Sequence, residues 1–510
     1  MSVEFLTRAL SAIGISARCS HAIFRQRWFA LMVRNALLVS VLYHLPVIAA
    51  GLDDWVEDPL RIQPSRTSAG PASSQNLPVV CPPQIHLGQP LALSEAIDWT
   101  LCNNPQIQTA WLSIKVQASA VGEANAAYLP TLSASRSRLN NKVNYPDNPS
   151  SDANEWGNTS YAAFNWRIFD FGGRQANLRA NHFLLTAALA THDAALQKAL
   201  VTVIGSYFEV LTTSATAKAK SQSERIAKEV WESTVRKEAS RAAPQYEVLQ
   251  ADAQYAKAQM AAKRAQGDHQ KATSNLAYVM GLDAQTELVL QEPLDERDGV
   301  GEERTTSNAR ARSSKDLQTW LEETKARHPA IAAAKAQWEA AKMKAQSVKL
   351  EGLPTIDFVS NRYKNGYPNQ GLQATQSQTT TWGVTMTIPL FEGFARTYKI
   401  RGAQALAEQN EAQLKEVQLQ TLTEVVKSFA DTQSSFANLA LSQRMLEASQ
   451  LAFESSLNRF KHNAADIFEM FQAQETLAQA EQERIRCLAE WRVARLRLLA
   501  NAGQLRHGDL

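Results

Sequence analysis

The chain has 510 residues, 45% of them hydrophobic and 20% charged, with a formal net charge of +3. That near-neutral balance, without a long basic run, lacks the electrostatic footprint of a nucleic-acid binder, and that class is set aside. The histidines, at 21, 44, 86, 182, 192, 269, 328, 462 and 507, follow no HExxH spacing and the cysteines form no CxxC, so neither a metal site nor a cofactor is expected.

The long apolar run Ala36 to Ala50 follows Arg34 and ends on Val47-Ile48-Ala49, a small-residue cleavage pattern. It is too short to span a bilayer as a helix. Residues 1–50 read as leader and signal peptide, with translation starting at Met1 or Met32, and a buried core helix is the competing reading of 36–50. Cys19 follows Ala17-Arg18 and Cys81 follows Val79-Val80, so neither suits a lipoprotein leader and no lipid anchor is expected. Residues 51–90, rich in Pro, Ser and Gln, read as an extended arm.

A first helix is expected from Leu91 to Tyr128, with Ser94 in a capping signal and a kink at Asn104-Pro105. After Pro130 the pattern alternates over about 131–142 and again over 159–170, a hairpin with a long polar loop. From Gly172 to about Lys237 no proline interrupts a helical pattern, with a seam at Val201, Ile204, Phe208, Leu211 and Ala215. A break at Arg241 to Pro244 leads into a returning helix with Ala251, Tyr255, Ala258, Ala262 and Ala265 in register.

The same order then repeats. Pro105 and Pro130 reappear as Pro329 and Pro354, 224 residues later, and Gly172 of IFDFGGR as Gly393 of PLFEGFAR, 221 later. That near-constant offset marks a duplicated helix, strand, strand, helix unit. The repeats span 91–285 and 315–503, joined by a linker at 286–314 and followed by a tail at 504–510. In the second, strands are expected at about 355–364 and 380–391, and a long helix from Gly393 to about His462 with Leu422, Val426, Phe429, Gln433, Phe436 and Ala440 in its seam. After a break at Asn463 to Ala465, Ala473, Leu477, Ala480, Arg484, Cys487, Trp491, Ala494 and Leu498 line the return. Each uninterrupted helix would reach on the order of 100 Å, longer than a globular core requires.

The strands separate two chemistries. Trp382, Val384, Met386, Ile388 and Leu390 oppose Thr381, Gly383, Thr385 and Thr387, while Ala162, Phe164, Trp166 and Ile168 oppose Tyr161, Ala163, Asn165 and Arg167. The pattern suits a transmembrane barrel with a watery lumen, with Phe164, Trp166, Trp382, Val384 and Met386 against lipid; a soluble sandwich alternates likewise. Four strands cannot close a spanning barrel, so a barrel requires oligomerisation. Catalysis is not expected. The Gly172-Gly173 turn and the carboxylates Asp466 and Glu469 converge with no nucleophile, base or metal cluster. A non-channel coiled-coil protein of the cell envelope would explain the helices but neither the amphipathic hairpins nor the leader.

LSEAIDWTLCNNPQIQTAW (93–111), YLPTLSAS (128–135), FNWRIFDFGGR (164–174), YEVLQADAQYAKAQ (246–259), GVTMTIPLFEGFAR (383–396) and FEMFQAQETLAQAE (468–481) stand in an order that resembles the TolC family of bacterial outer-membrane channel proteins. The resemblance implies a mainly α chain with a β-barrel portion: four strands per chain in a trimeric twelve-stranded barrel in outer-membrane lipid, and long helical hairpins forming a periplasmic tunnel. It implies a homotrimer working with a periplasmic adaptor and an inner-membrane transporter, either an ABC exporter or a proton-driven pump. The CNNP start and the unanchored leader look most similar to members paired with toxin secretion; drug efflux is the alternative. The family's acidic entrance ring matches Glu469 at its first position and Gln472 at its second, so one charge per chain is lost. Glu247 holds the matching place in the first repeat as a hairpin-tip latch. A basic partner is not evident, because Ala465 stands where some members carry it, and Glu469 has the alternative role of complementing a helix N-terminus. In an oxidising periplasm Cys81 and Cys102 are expected as a disulfide stapling the arm to the tunnel, two independent thiols being the other reading. Cys487 is expected buried and unpaired.

Overall fold

A computed structural model describes residues 81, 89–143, 146–147, 153–241, 244–291, 316–364, 377–461 and 467–503. The leader, most of the arm and linker, the strand-connecting loops, the tail, and Ala465 and Asp466 lie outside the described residues. The described chain belongs to one compact unit within Ile62–Leu510. It runs α1 (Leu93–Asn103), α2 (Pro105–Ala126), β1 (Thr131–Val143), β2 (Ala153–Phe169), α3 (Gly173–Ala239), α4 (Gln245–Met280), α5 (Leu317–Arg327), α6 (Pro329–Leu350), β3 (Thr355–Lys364), β4 (Gln378–Thr387), α7 (Ala395–Lys461) and α8 (Ile467–Asn501).

The duplication is structural. α5, α6 and β3 begin 224 residues after α1, α2 and β1, and α7 and α8 begin 222 after α3 and α4. The glycine match at 221 is off by one, as the backbone shows at the strand-to-helix elbows. Phe171 and Gly172 are left-handed in the first elbow, Gly393 and Phe394 in the second, so an offset of 222 superposes two left-handed residues on two. Each elbow holds one glycine, which adopts that conformation freely, and one phenylalanine, which does so against its steric preference.

Four element boundaries differ from the sequence reading. The helix expected over 91–128 is two helices, because Asn104 is extended (φ −66°, ψ 123°) and Pro105 restarts the chain at the first position of α2. The Asn104 side chain accepts from the Gln106 N–H at 2.8 Å and donates to the Val279 carbonyl of α4 at 2.8 Å. Ser94 is not the cap of α1; Ala92 precedes the helix, and Glu95 reaches back to the Ala92 N–H at 3.3 Å. β4 stops at Thr387 rather than 391, since Pro389 has no N–H for a ladder, and β2 begins at Ala153 rather than 159.

His328 occupies the position of Asn104 in the second repeat. Its Nδ1 accepts from the Ala330 N–H at 3.2 Å, which requires a neutral ring, and burial pushes its pKa down to about 4. With the folded value below the unfolded one, the cap's contribution is complete above about pH 6.5. It is lost as pH falls toward 4, by up to about 3 kcal/mol. His328→Asn, which restores the other repeat's residue, should flatten that slope between pH 7 and 4.5 in denaturant titrations of the folded protein.

α3 and α7, 67 residues each, are about 100 Å long. α3 packs along α4, α6, α2 and α8, and α7 along α8 and α6. Ile97, Leu101, Ile107, Leu196, Leu200, Ile204, Leu276 and Met280 are fully buried where α1, α2, α3 and α4 meet. Here the Tyr207 hydroxyl donates to the Leu91 carbonyl at 2.9 Å, and burial, with Glu95 adding to it, pushes that phenol up to about 12.

The seam of α7 is where pattern reading fails. Thr421, Ser428, Ser435, Ser442, Ser449 and Ser456 are all buried at strict seven-residue spacing, together with Val425. Val426 and Phe436, expected in that seam, are exposed instead. The physical reason is that small hydroxyl residues let two long helices approach closely. Ser428, Ser435 and Ser442 donate to carbonyls of their own helix (Glu424, Thr432 and Leu439, 2.8–3.2 Å), so burial leaves those hydroxyls bonded. The seam of α8 runs through Ala480, Cys487, Trp491, Ala494 and Leu498, all buried, and Cys487 is a free thiol whose pKa burial pushes up.

Candidate functional site

The four strands form one antiparallel sheet in the order β1-β2-β3-β4. Its register sorts the side chains into two faces, because cross-strand partners share a face. Phe164 pairs with Leu132 and Ser360, Ser360 with Trp382, Trp166 with Phe358, Phe358 with Val384, and Ile356 with Met386. This is one apolar face, and it is open: Trp382 is 77%, Val384 64% and Met386 57% exposed, while Phe164 is half-buried. The Trp166 indole N–H donates to the Tyr128 carbonyl at 2.9 Å, placing its polar edge at the base of the sheet. Ile388 and Leu390, also expected on this face, lie beyond the end of β4.

The opposite face is polar and partly enclosed. Tyr161 stacks on Tyr363, the Tyr161 hydroxyl donates to Asn361 at 3.2 Å, Ser137 and Thr159 share a hydrogen bond, and Thr159 and Ala163 are buried. Arg167 pairs with Asp357 at 2.9 Å across the strands, and Thr385 and Thr387 lie on this same face. The sheet thus keeps hydroxyls on its enclosed side and large apolar groups on its open side.

Arg174 fastens sheet to helix. Its guanidinium donates to Asp170 (3.1 Å) and to the carbonyls of Arg167 (2.8 Å), Ala127 (3.1 Å) and Ile168 (3.3 Å), and lies 4.7 Å from the Tyr128 ring centre. Asp170 also accepts from the Arg174 N–H at 2.7 Å, so its own carboxylate occupies the start of α3 and the Gly172-Gly173 turn does not cradle an outside anion. The motif FNWRIFDFGGR does not reveal this role, because the Ala127 carbonyl meets Arg174 only in the fold.

At the far ends of the helices, Glu469 stands at the third position of α8, exposed, with Gln472 exposed one turn on. A basic partner is present after all. Arg459 on α7 meets Glu469 at 2.6 Å, ten residues upstream, where comparison with position 465 could not find it. Glu247 is half-buried in the first turn of α4, and no ion pair of its side chain is among the described contacts. Among the described contacts, Lys257 on α4 and Glu475 on α8 form an ion pair between the two hairpins, at 3.3 Å. Cys81 and Cys102 are joined, their Cα atoms 5.7 Å apart.

Residues 96–282 and 320–504, one block in each repeat, match the family model described as outer membrane efflux protein. Protein CyaE of Bordetella pertussis is 32% identical over 428 residues, covering 83% of this chain and 86% of that protein. The CmeC outer membrane channel of Campylobacter jejuni is similar in fold, with a TM-score of 0.69 at 15% identity over 81% of this chain and 86% of the other. The outer membrane protein VceC of Vibrio cholerae is similar too, with a TM-score of 0.66 at 19% identity over 81% and 96% of the two chains. The chain belongs to the outer membrane efflux protein family: an outer-membrane channel protein rather than an enzyme, its sheet a share of a barrel and its helices a share of a periplasmic tunnel.

Proposed function

We propose that three copies of this chain close into one passive exit duct of a tripartite export system, and that its cargo is an unfolded polypeptide delivered by an inner-membrane ABC exporter through a periplasmic adaptor. The observation that carries the trimer is a pair of unpartnered edges. On one side α7 exposes Leu419, Phe436, Leu441 and Leu451; on the other, α2 and α4 expose Leu112, Val116, Leu249 and Met260. Two different apolar edges on one elongated chain favour head-to-tail contacts that close into a ring. The outer edges of β1 and β4 close in the same way, as strand edges facing lipid must.

The polypeptide reading is supported by a lumen face of Ser, Thr and Tyr, chemistry that slides past many side chains without gripping one, and by the CNNP start. Small-molecule efflux is the second reading, favoured by the description of the family model. A deletion strain separates them. Loss of a secreted protein from the medium with unchanged drug susceptibility is expected; raised susceptibility with secretion intact would move the cargo to small molecules.

The entrance constriction is proposed at Glu469 and Gln472. Three Glu469 carboxylates around one axis attract multivalent cations, tempered by Arg459. Glu469→Ala is expected to weaken block by trivalent cations in planar-bilayer recordings and to alter conductance. Unchanged block and conductance would leave Glu469 only its place at the start of α8, worth about 0.3 to 1 kcal/mol.

A further inference from the structure

The apolar face of the sheet changes character along its length. Its lower rows hold Ile356 with Met386, Phe358 with Val384, and Leu132 and Phe164 in line with Trp382; below them Phe169, Phe171, Phe391 and Phe394 are exposed around the elbows. Further up, the same face carries Arg362, then Arg136 and Lys364, then Arg138. Ser160 pairs with Arg136 on one side and Lys364 on the other, while Asn158 pairs with Arg138 and Ala162 with Arg362. Arg136, Arg138, Arg362 and Lys364 are exposed and flank a floor of short side chains from β2, and Lys142, also exposed, lies on the same face two rows beyond Arg138. Arg136 and Lys364 stand two strand spacings apart, about 10 Å. Among the strand residues whose side chains are described no carboxylate shares this face, and Asp357 falls on the other one. The Arg138 guanidinium rests 5.2 Å from the Trp156 ring centre, held at the upper end of the patch.

Height identifies the occupant. From Ile356 to Lys364 the strand climbs eight residues, about 20 Å along the membrane normal for a strand tilted 35–45°. An apolar band about 25 Å tall that starts at the phenylalanine girdle therefore ends at the cations. A lipid-facing arginine is costly at the midplane and nearly free at the interface, which fits this placement, and Arg362, one row lower, can extend its charge upward along its own stem. Arginine's planar fork matches phosphate oxygens in pairs.

We propose that Arg136, Arg138, Arg362 and Lys364 form a binding site on the outside of the barrel for the phosphate groups of an outer-leaflet glycolipid of the lipid A type, one site per chain. The proposal rests on the barrel reading and adds to it a specific annular lipid. Bound lipid should stabilise the assembled barrel by linkage.

The test is the temperature at which the wild-type assembly dissociates in phosphatidylethanolamine vesicles, alone or supplemented with diphosphoryl lipid A, with lipid A stripped of its phosphates, or with inorganic phosphate. A rise of several degrees with diphosphoryl lipid A only is expected, lost in the variant R136Q/R138Q/R362Q/K364Q. An equal rise with the stripped lipid, the same rise from inorganic phosphate, or a full rise in the variant would overturn the site. The lipid-side comparison uses only the wild type, so a variant that fails to fold leaves it intact. Insertion of the wild type into plain vesicles reports on the barrel separately, and its failure would sink the barrel reading before any lipid is added.

Discussion

Val384→Arg should destabilise the barrel by about 2 to 4 kcal/mol, whereas Thr385→Arg, one residue along, should cost far less. Val384 pairs with Phe358 on the open apolar face, one row further into the band than Met386. A guanidinium there must leave water for hydrocarbon or drag water and headgroups inward. Thr385 faces the other way, beside Asp357, whose carboxylate already binds Arg167 at 2.9 Å. An arginine at 385 would enter a wet lumen beside that carboxylate. Met386→Arg, nearer the phenylalanine girdle, should fall between the two. Urea titrations of folding into phospholipid vesicles measure all three, and equal costs for Val384→Arg and Thr385→Arg would contradict the outward assignment.

Cys81→Ser should lower the stability of the mature protein by about 3 kcal/mol under non-reducing conditions, and Cys102→Ser by the same amount. The bond closes a loop with a sequence separation of 21 between the arm and the buried face of α1. Its loss enlarges the unfolded ensemble and releases the chain leading to Leu91, whose carbonyl accepts from Tyr207. Reductant should move the wild-type midpoint onto that of the variants. Non-reducing peptide maps in which both thiols alkylate freely, or variants with unchanged midpoints, would remove the staple from the account.

Much of the fold was legible because prolines and alternation are local signals. Pro105 and Pro329 each restart a helix, β3 lies at Thr355–Lys364, and the two faces of β2 and β4 follow from alternation alone. What escaped depended on partners distant in sequence. The α7 seam is built from serines, which look like surface until a second helix is laid against them, whereas the large apolar Phe436 lies at its margin, touching Trp491 of α8 but 60% exposed. The offset of 221 followed glycine identity, whereas the backbone repeats left-handed geometry and permits a phenylalanine in a glycine's place. At the tips, position-by-position matching looked for a cation at 465. The hairpin supplies Arg459 from the facing helix, where only the return of the chain brings it to Glu469.

Whether three chains make one duct is tested most directly by stoichiometry. Native mass spectrometry of the protein extracted from outer membranes in mild detergent should give a mass of three chains. Phe436→Glu, which charges an exposed apolar edge of α7, should shift the population toward single chains. A wild-type protein that is monomeric under those conditions, or that assembles in some other number, would contradict the account.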